Sequence, residues 1–255
     1  MKPTKKKTSI QIEKNQPSNL TSRSLKLAWG AAAIAALSVF GHRFEVIDFQ
    51  PALLGIVASV LIGLTAIVVG LIGTLRAIKA KQPEIASTTA GSTLGFLVVA
   101  PVIVTVLAGA GKPMIHDITT DLDHPPEFVA IKQLRTEAHN SLDRLEPENL
   151  AALQREGYPD IAPLLTDEPL SRVFDRAVAL VEKRGWEVVS ASVTSGRIEA
   201  VSTTSIMEFK DDVVIRIQRE GQRTRIDMRS VSRVGKSDLG VNATRIRSFL
   251  ADLNS

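Results

Sequence analysis

Uncharged apolar segments fill much of the first 111 residues, and shorter helical and alternating patterns follow them. Residues 51–75 carry no charge, are rich in Leu, Ile and Val, and are long enough to cross a bilayer. Residues 85–111 are also uncharged, and residues 27–41 form a shorter, alanine-rich segment. The pattern predicts three transmembrane helices, near 27–41, 51–75 and 90–110, within a membrane region that covers residues 27–111.

The first segment also has the length of a signal-peptide core, so a cleaved leader is the alternative. No small-x-small cleavage site follows the apolar run, where Val39 and Phe40 precede Gly41, and we expect the segment to stay as the first helix. None of the three segments has an ionisable residue in its interior, which favours an anchor over an ion path. Gly91 and Gly95 in the third segment predict a close approach of another helix.

Charge predicts the orientation of these helices. Residues 1–26 contain seven Lys or Arg and one Glu, a local charge of +6, whereas the loop at 42–50 has one basic and two acidic residues. The next loop has three basic residues, Arg76, Lys79 and Lys81. By the positive-inside rule, the tail 1–26 and the second loop are expected in the cytoplasm, and residues 112–255 on the extracytoplasmic side of the cell membrane. The lipid bilayer is the first expected partner.

The formal net charge of +4 does not describe the C-terminal part. Residues 112–255 hold 20 basic and 23 acidic residues, and 20 − 23 gives about −3. A domain without a basic excess lacks the usual basis for nucleic-acid binding, so no nucleic-acid partner is expected. The chain has no Cys, which excludes disulfides, thiolate metal sites and Cys nucleophiles.

Residues 112–255 are enough for one compact α+β domain. An apolar stripe predicts a helix over 169–184, with Asp167 as its cap and Gly185 at its end. Four strands are predicted near 186–193, 197–204, 212–219 and 224–232, and a last helix begins near Leu239. Short connections predict an antiparallel four-stranded meander flanked by helices.

A tight hairpin at Glu220-Gly221 fixes the expected register of the last two strands. It places Asp212 opposite Arg229, and it puts the apolar residues of both strands on one face, with Val213, Ile215 and Ile217 opposite Met228, Ile226 and Thr224. Both helices would cover that face. The other face, with Arg216, Arg225, Asp227 and Arg229, is expected to stay open as a second candidate binding surface.

The connection from the last strand to the last helix is the first candidate site. Free N–H groups at a helix N-terminus and the helix dipole favour an anion there. The candidate anion-binding residues are Arg229, Ser230, Ser232, Arg233, Lys236, Ser237 and Asp238. The alternative is that Arg229 and Arg233 pair with carboxylates on neighbouring strands. The sequence GKS at 235–237 is no phosphate-binding P-loop, because Ser230 stands where that loop needs glycine.

A turn-rich entry segment at 115–128 holds a second set of polar residues. Four of them have the chemistry of ligands for a hard or borderline cation, His116, Asp117, Asp121 and Asp123. The alternative is that they cap turns beside Pro125 and Pro126. No nucleophile elbow, HExxH motif or glycine-rich phosphate loop is present, and no cofactor is expected.

Several stretches together resemble the domain of unknown function 1499 family. They are HDITTD at His116–Asp121, PPEF at Pro125–Phe128, YPDIAPL at Tyr158–Leu164, and the run from Asp211 to Leu250. His124 stands where the resemblance leads us to expect Asn. The resemblance covers nearly the whole C-terminal domain. It implies a membrane-attached domain, often preceded by apolar spans, with no established activity.

The function we expect is that of a membrane-anchored, non-enzymatic module that binds an anionic small molecule or an envelope protein. One alternative is a metal-assisted hydrolase, which needs the acidic entry segment and the arginines to face one pocket. Another is a structural subunit of a membrane complex, which needs an exposed apolar patch on the domain.

Overall fold

A computed structural model describes residues 19–79 and 85–255. The chain divides into two compact units, Met1–Val102 and Ile103–Ser255. Most of the predicted basic tail, at 1–18, and the loop residue Lys81 lie outside the described residues.

Three helices in the first part of the chain confirm the three predicted apolar helices. They are α1 at Asn19–Arg43, α2 at Phe49–Lys79 and α3 at Ile85–Gly109. Each contains a segment long and apolar enough to cross a membrane, at Ser22–Arg43, Phe49–Lys79 and Thr89–Gly109. The first helix begins within the predicted tail, because the polar residues that precede the apolar run include no Pro or Gly to end a helix.

Small residues bring the helices of the first unit together. A Cβ placed on Gly95 would lie 2.8 Å from the carbonyl oxygen of Gly63 in α2, and one on Gly91 would lie 2.2 Å from the Ser24 hydroxyl oxygen in α1. The Ser24 hydroxyl donates to the carbonyl of Ala66 at 2.9 Å. The predicted close approach at Gly91 and Gly95 is therefore confirmed.

The second unit is built on one antiparallel sheet of six strands, two more than predicted. The strands are β1 at Asp117–Thr119, β2 at Leu164–Thr166, β3 at Glu187–Ser192, β4 at Arg197–Thr203, β5 at Lys210–Glu220 and β6 at Arg223–Ser232. The meander from β3 to β6 is as predicted, and β1 and β2 both pair with the outer edge of β6. Three-residue strands are too short to show an alternating pattern, which is why the sequence did not reveal them.

The register between β5 and β6 differs from the prediction by two residues. Glu220 pairs with Arg223, so the hairpin loop is Gly221-Gln222, with Gly221 at φ 61°. Asp212 therefore lies opposite Val231, and the predicted pair of Asp212 with Arg229 is wrong. A shift of two residues keeps every side chain on its predicted face, because side chains alternate along a strand.

Helices cover the apolar face of the sheet. They are α4 at Leu150–Gly157, α5 at Leu170–Lys183 and α6 at Val241–Leu253. Val173, Ala177, Ile246 and Phe249 pack with Ile215 and other strand residues in the main core. Gly185, at φ 70°, follows α5 as predicted, but Pro169 holds its N-cap position and no side chain caps it there, so the predicted cap by Asp167 is wrong.

The opposite face of the sheet is not open as predicted. Phe128 and Ile131, which belong to the entry segment and the 3₁₀ helix Ile131–Leu134, pack on Val214 and Val231 in a second, smaller core. Three backbone N–H groups of this segment donate to the buried carboxylate of Glu199 on β4, at 2.9 to 3.2 Å. This covering segment, residues 115–135, therefore lies over Asp227 and Arg229, two buried residues that the sequence placed on a free surface.

Candidate functional site

Arg229 is only 4% exposed, and its guanidinium binds other groups of the protein. Its Nε and Nη2 donate to the two carboxylate oxygens of Asp117 at 3.0 and 2.7 Å. Further bonds reach the carbonyls of Pro126 and Leu142, and the guanidinium lies 5.2 Å from the Phe128 ring centroid. Arg144 donates to the same carboxylate, and burial lowers its pKa while Asp117 opposes that effect. Two guanidinium groups thus share one carboxylate.

Arg233 is held in the same way by Asp212. Its Nε and Nη2 donate to the Asp212 carboxylate at 3.1 and 2.8 Å. Arg135, from the covering segment, donates its Nε to the other side of that carboxylate at 2.7 Å, and burial lowers the pKa of Arg135. An anion at the predicted site would have to compete with Asp117 for Arg229 and with Asp212 for Arg233.

The two serines of the predicted site belong to a buried network between β6 and α6. Ser230 donates to the side-chain oxygen of Asn242 at 2.6 Å, and Ser232 accepts from its amide nitrogen at 3.0 Å. Arg245 donates to Ser230 at 2.9 Å and to Asp211 at 2.6 Å. Sequence reasoning missed Asn242 and Asp211, because the pairing of β6 with α6 has no short-range signal.

Asp238 occupies the N-terminus of α6 with its own carboxylate. It accepts from the backbone N–H of Gly240 at 2.9 Å and of Asn242 at 2.7 Å, and so caps the first turn of the helix. Burial raises the pKa of Asp238, although these two N–H groups act in the opposite direction. Ser237 accepts from the N–H of Leu239 at 3.3 Å, and Lys236 is exposed. A negative group is therefore already present where the sequence predicts an anion.

The four predicted metal ligands are not brought together. Asp117 binds arginines, and Asp121 accepts from Arg216 and Arg225 at 3.0 Å each. Asp121 also accepts from the backbone N–H of Asp123 and His124, which is the turn-capping alternative. Burial lowers the pKa of His116. Within residues 19–79 and 85–255, no three His, Asp or Glu side chains are grouped as metal ligands.

A groove of about 450 Å³ lies on the second face of the sheet, beside the entry segment. Its lining residues are Asp123, His124, Pro125, Pro126, Glu127, Ser195, Arg197, Val214, Arg216 and Gln218. Arg197 on β4 lies directly opposite Arg216 on β5. Sequence reasoning placed Arg216 on a candidate surface but missed Arg197, because the register between these two strands was not predicted.

The two arginines of the groove differ in how they are engaged. Arg216 donates Nη1 to the carbonyl of His124 at 3.0 Å and Nη2 to Asp121 and Asp227 at 3.0 and 2.9 Å. Its Nε is buried and finds no acceptor in the described chain. The Arg197 guanidinium has no ion-pair or hydrogen-bond partner among the described residues. The groove therefore offers the guanidinium of Arg197 as a free donor, beside an Arg216 that already binds two carboxylates.

Comparison with known proteins gives a family but no activity. No curated protein matches the chain. The model of a family described as "Protein of unknown function (DUF1499)" matches residues 117–253, which span β1 to the end of α6. Because the match covers more than half of the 255 residues, the chain belongs to the DUF1499 family.

Proposed function

We propose that this protein is a membrane-anchored binding module, without catalysis, that takes a small anionic ligand in the groove beside Arg197 and Arg216. The observation that carries the proposal is the direct opposition of these two arginines across β4 and β5. Like charges that face each other across two strands destabilise a sheet. Asp121 and Asp227 already oppose the charge of Arg216, and an anion beside Arg197 would neutralise the remaining guanidinium and accept its hydrogen bonds.

The shape of the groove supports a small polar ligand. Its volume of about 450 Å³ lies within the usual range for small-molecule sites. Ser195 and Gln218 add neutral hydrogen-bonding groups, and the carboxylates of Asp123 and Glu127 stand at exposed positions. A groove of this size accommodates a compact anion such as a phosphate ester or a carboxylate, whereas a flat protein surface would not enter it. We therefore favour a small molecule over an envelope protein as the ligand.

The charge of the loops supports a location for the domain outside the cytoplasm of a cell-membrane protein. The tail 1–26 has a local charge of +6, and basic residues end α2, whereas the loop after α1 is acidic on balance. This distribution favours a cytoplasmic N-terminus and an extracytoplasmic domain. A hydrolase has no comparable support, because arginines hold Asp117 and Asp121 and no metal-ligand group occurs among the described residues.

The proposal is tested by ligand-dependent thermal stability of the full chain in detergent micelles. Inorganic phosphate, sulfate and citrate would be titrated at constant ionic strength into wild type, Arg197→Ala and Arg223→Ala. Arg223 is a matched control, since it is exposed, does not line the groove and lies opposite Glu220 beside the hairpin. An anion at a hundred times its Kd stabilises the folded protein by about 2.7 kcal/mol.

We expect this stabilisation in wild type and Arg223→Ala and its loss in Arg197→Ala. Equal stabilisation of all three proteins would place the anion elsewhere. Absence of any effect in wild type with all three anions would contradict the proposed function.

A further inference from the structure

The loop that joins β6 to α6 exposes apolar side chains. Leu239 is 39% exposed and Val241 is 45% exposed, although the strand and helix on either side contribute buried residues to the core. Leu239 also has a φ of 55°, a conformation that apolar residues with a Cβ rarely adopt. Leu239 is therefore partly exposed and has a backbone conformation that is unfavourable for leucine.

The same loop lies at the end of α3. A Cβ placed on Gly109 would lie 2.7 Å from both Cβ and Cδ2 of Leu239, so the Leu239 side chain covers the backbone of Gly109. Gly109 is the last residue of the candidate membrane span Thr89–Gly109. Both residues belong to the compact unit Ile103–Ser255. Leu239 thus lies at the level where the third span would leave the hydrocarbon core of a bilayer.

Short contacts fix this position. The N–H of Asp238 donates to the carbonyl of Ile115 at 3.2 Å, and Pro113 packs on Gly157 so closely that a Cβ there would lie 2.6 Å away. The aliphatic part of Lys112 lies 3.5 Å from the Cβ position of Gly240. The contacts at Asp238 and Gly240 therefore tie the loop to residues 112–115, which follow the end of α3.

The charges next to this surface complement a lipid headgroup layer. Lys112 and Lys236 are exposed, and neither forms an ion pair within the described chain, although the Lys112 ammonium lies 5.8 Å from the Tyr158 ring centroid. Lysines with long aliphatic stems beside exposed apolar side chains are typical of segments that lie in a membrane interface.

We infer that the segment Lys236–Val241, which ends at the first residue of α6, is together with Lys112 a bilayer-contacting surface, in which Leu239 and Val241 enter the headgroup region and Lys236 faces lipid phosphates. The occupant is the bilayer that the third span leaves, and the contact holds the C-terminal domain against the membrane. This inference is independent of the anion groove, because none of its residues lines that groove.

The test uses the absence of cysteine from the chain, which allows one spin label per variant. The full chain with Leu239→Cys or Val241→Cys is reconstituted into phosphatidylcholine vesicles that contain phosphatidylglycerol. The control is Gln222→Cys at the β5–β6 hairpin, since β6 places that loop about 30 Å from Ser232. Accessibility to oxygen and to a water-soluble nickel chelate is measured by power-saturation electron paramagnetic resonance.

For each label, the ratio of its accessibility to oxygen to its accessibility to the nickel chelate is calculated. We expect this ratio to be at least threefold higher for the labels at 239 and 241 than for the label at 222. Val241→Cys keeps the contact of Leu239 with Gly109, so a folding defect of the Leu239 variant would not decide the result. Labels at 241 and 239 that are as accessible to the chelate as the label at 222 would overturn the inference. Labels that neither reagent reaches would also overturn it, because they would indicate a protein contact instead of lipid.

Discussion

Arg229 on β6 donates hydrogen bonds to both carboxylate oxygens of Asp117 on β1, at 3.0 and 2.7 Å. This pair links the three-residue strand β1 to the sheet. The two residues are 112 positions apart in sequence. Arg144 shares the same carboxylate, so removal of Asp117 would leave two buried guanidinium groups without their counterion.

Asp117→Asn is therefore expected to destabilise the C-terminal unit by about 3–5 kcal/mol, the cost of breaking a buried ion pair from one side. Asp123→Asn is the control, because the Asp123 side chain is 82% exposed. Urea unfolding would be followed by the fluorescence of Trp186, which stacks on Phe249, in a Trp29→Phe background. Equal midpoints for the two variants would contradict the structural role of Asp117.

The pairing of Arg229 with Asp117 could not be predicted from the sequence, whereas most helices and strands could. Periodic segments predicted α1, α2, α3, α5, α6 and the strands β3 to β6, because burial of one face leaves a repeating pattern. Residues 115–135 have no such pattern, because Asp117 and Arg135 bind side chains of distant strands and the backbone of residues 129–131 binds Glu199 on β4. Pairing of Arg229 with a carboxylate was the predicted alternative to an anion site, but the predicted partner, Asp212, depended on a hairpin loop placed one residue too early.

The charge of Arg197 is expected to lower the stability of the protein when no ligand is bound. Without an added anion and at low salt, Arg197→Ala is expected to raise the stability of the C-terminal unit by about 0.2–1 kcal/mol, because it removes a like charge opposite Arg216. The gain should shrink as salt screens the repulsion. The midpoint of urea unfolding at two salt concentrations would measure both effects, with Arg223→Ala as the control. A salt-independent loss of stability would mean that Arg197 has a packing role instead.

Asp238 and Asp160 are expected to shift stability with pH in opposite directions. Burial raises the pKa of Asp238 above its ordinary value of 3.8, so the folded state keeps its proton longer and stability falls as pH rises through that raised pKa. The hydrogen bond from Arg247 lowers the pKa of Asp160, so its contribution is present above pH 3.8 and is lost as pH falls through the lowered pKa.

Urea unfolding between pH 3 and 7, for wild type, Asp238→Asn and Asp160→Asn, separates the two effects. The free energy of unfolding of wild type minus that of Asp238→Asn should decrease as pH rises. The same difference between wild type and Asp160→Asn should increase. The same sign for both differences would contradict the assigned causes.

Gly95 and Gly30 offer a matched pair in the first unit. Gly95→Ala would bring a Cβ within 2.8 Å of the Gly63 carbonyl oxygen, whereas Gly30→Ala meets no atom within 4 Å. We expect Gly95→Ala to cost about 1–3 kcal/mol through overpacking and Gly30→Ala to cost nothing, since alanine favours the helix. The fraction of SDS in mixed micelles at which helical circular dichroism is half lost would measure this. Equal midpoints would argue against close packing of α2 and α3.

The orientation of the helices can be decided with single cysteines, because the chain has none of its own. Gln222→Cys lies in the exposed hairpin of the C-terminal unit, and Lys79→Cys lies at the end of α2. If the positive-inside rule holds, a membrane-impermeant maleimide added to intact cells labels Cys at position 222 at once and labels position 79 only after lysis. The reverse pattern would place the C-terminal unit in the cytoplasm and would require its ligand to be a cytoplasmic anion.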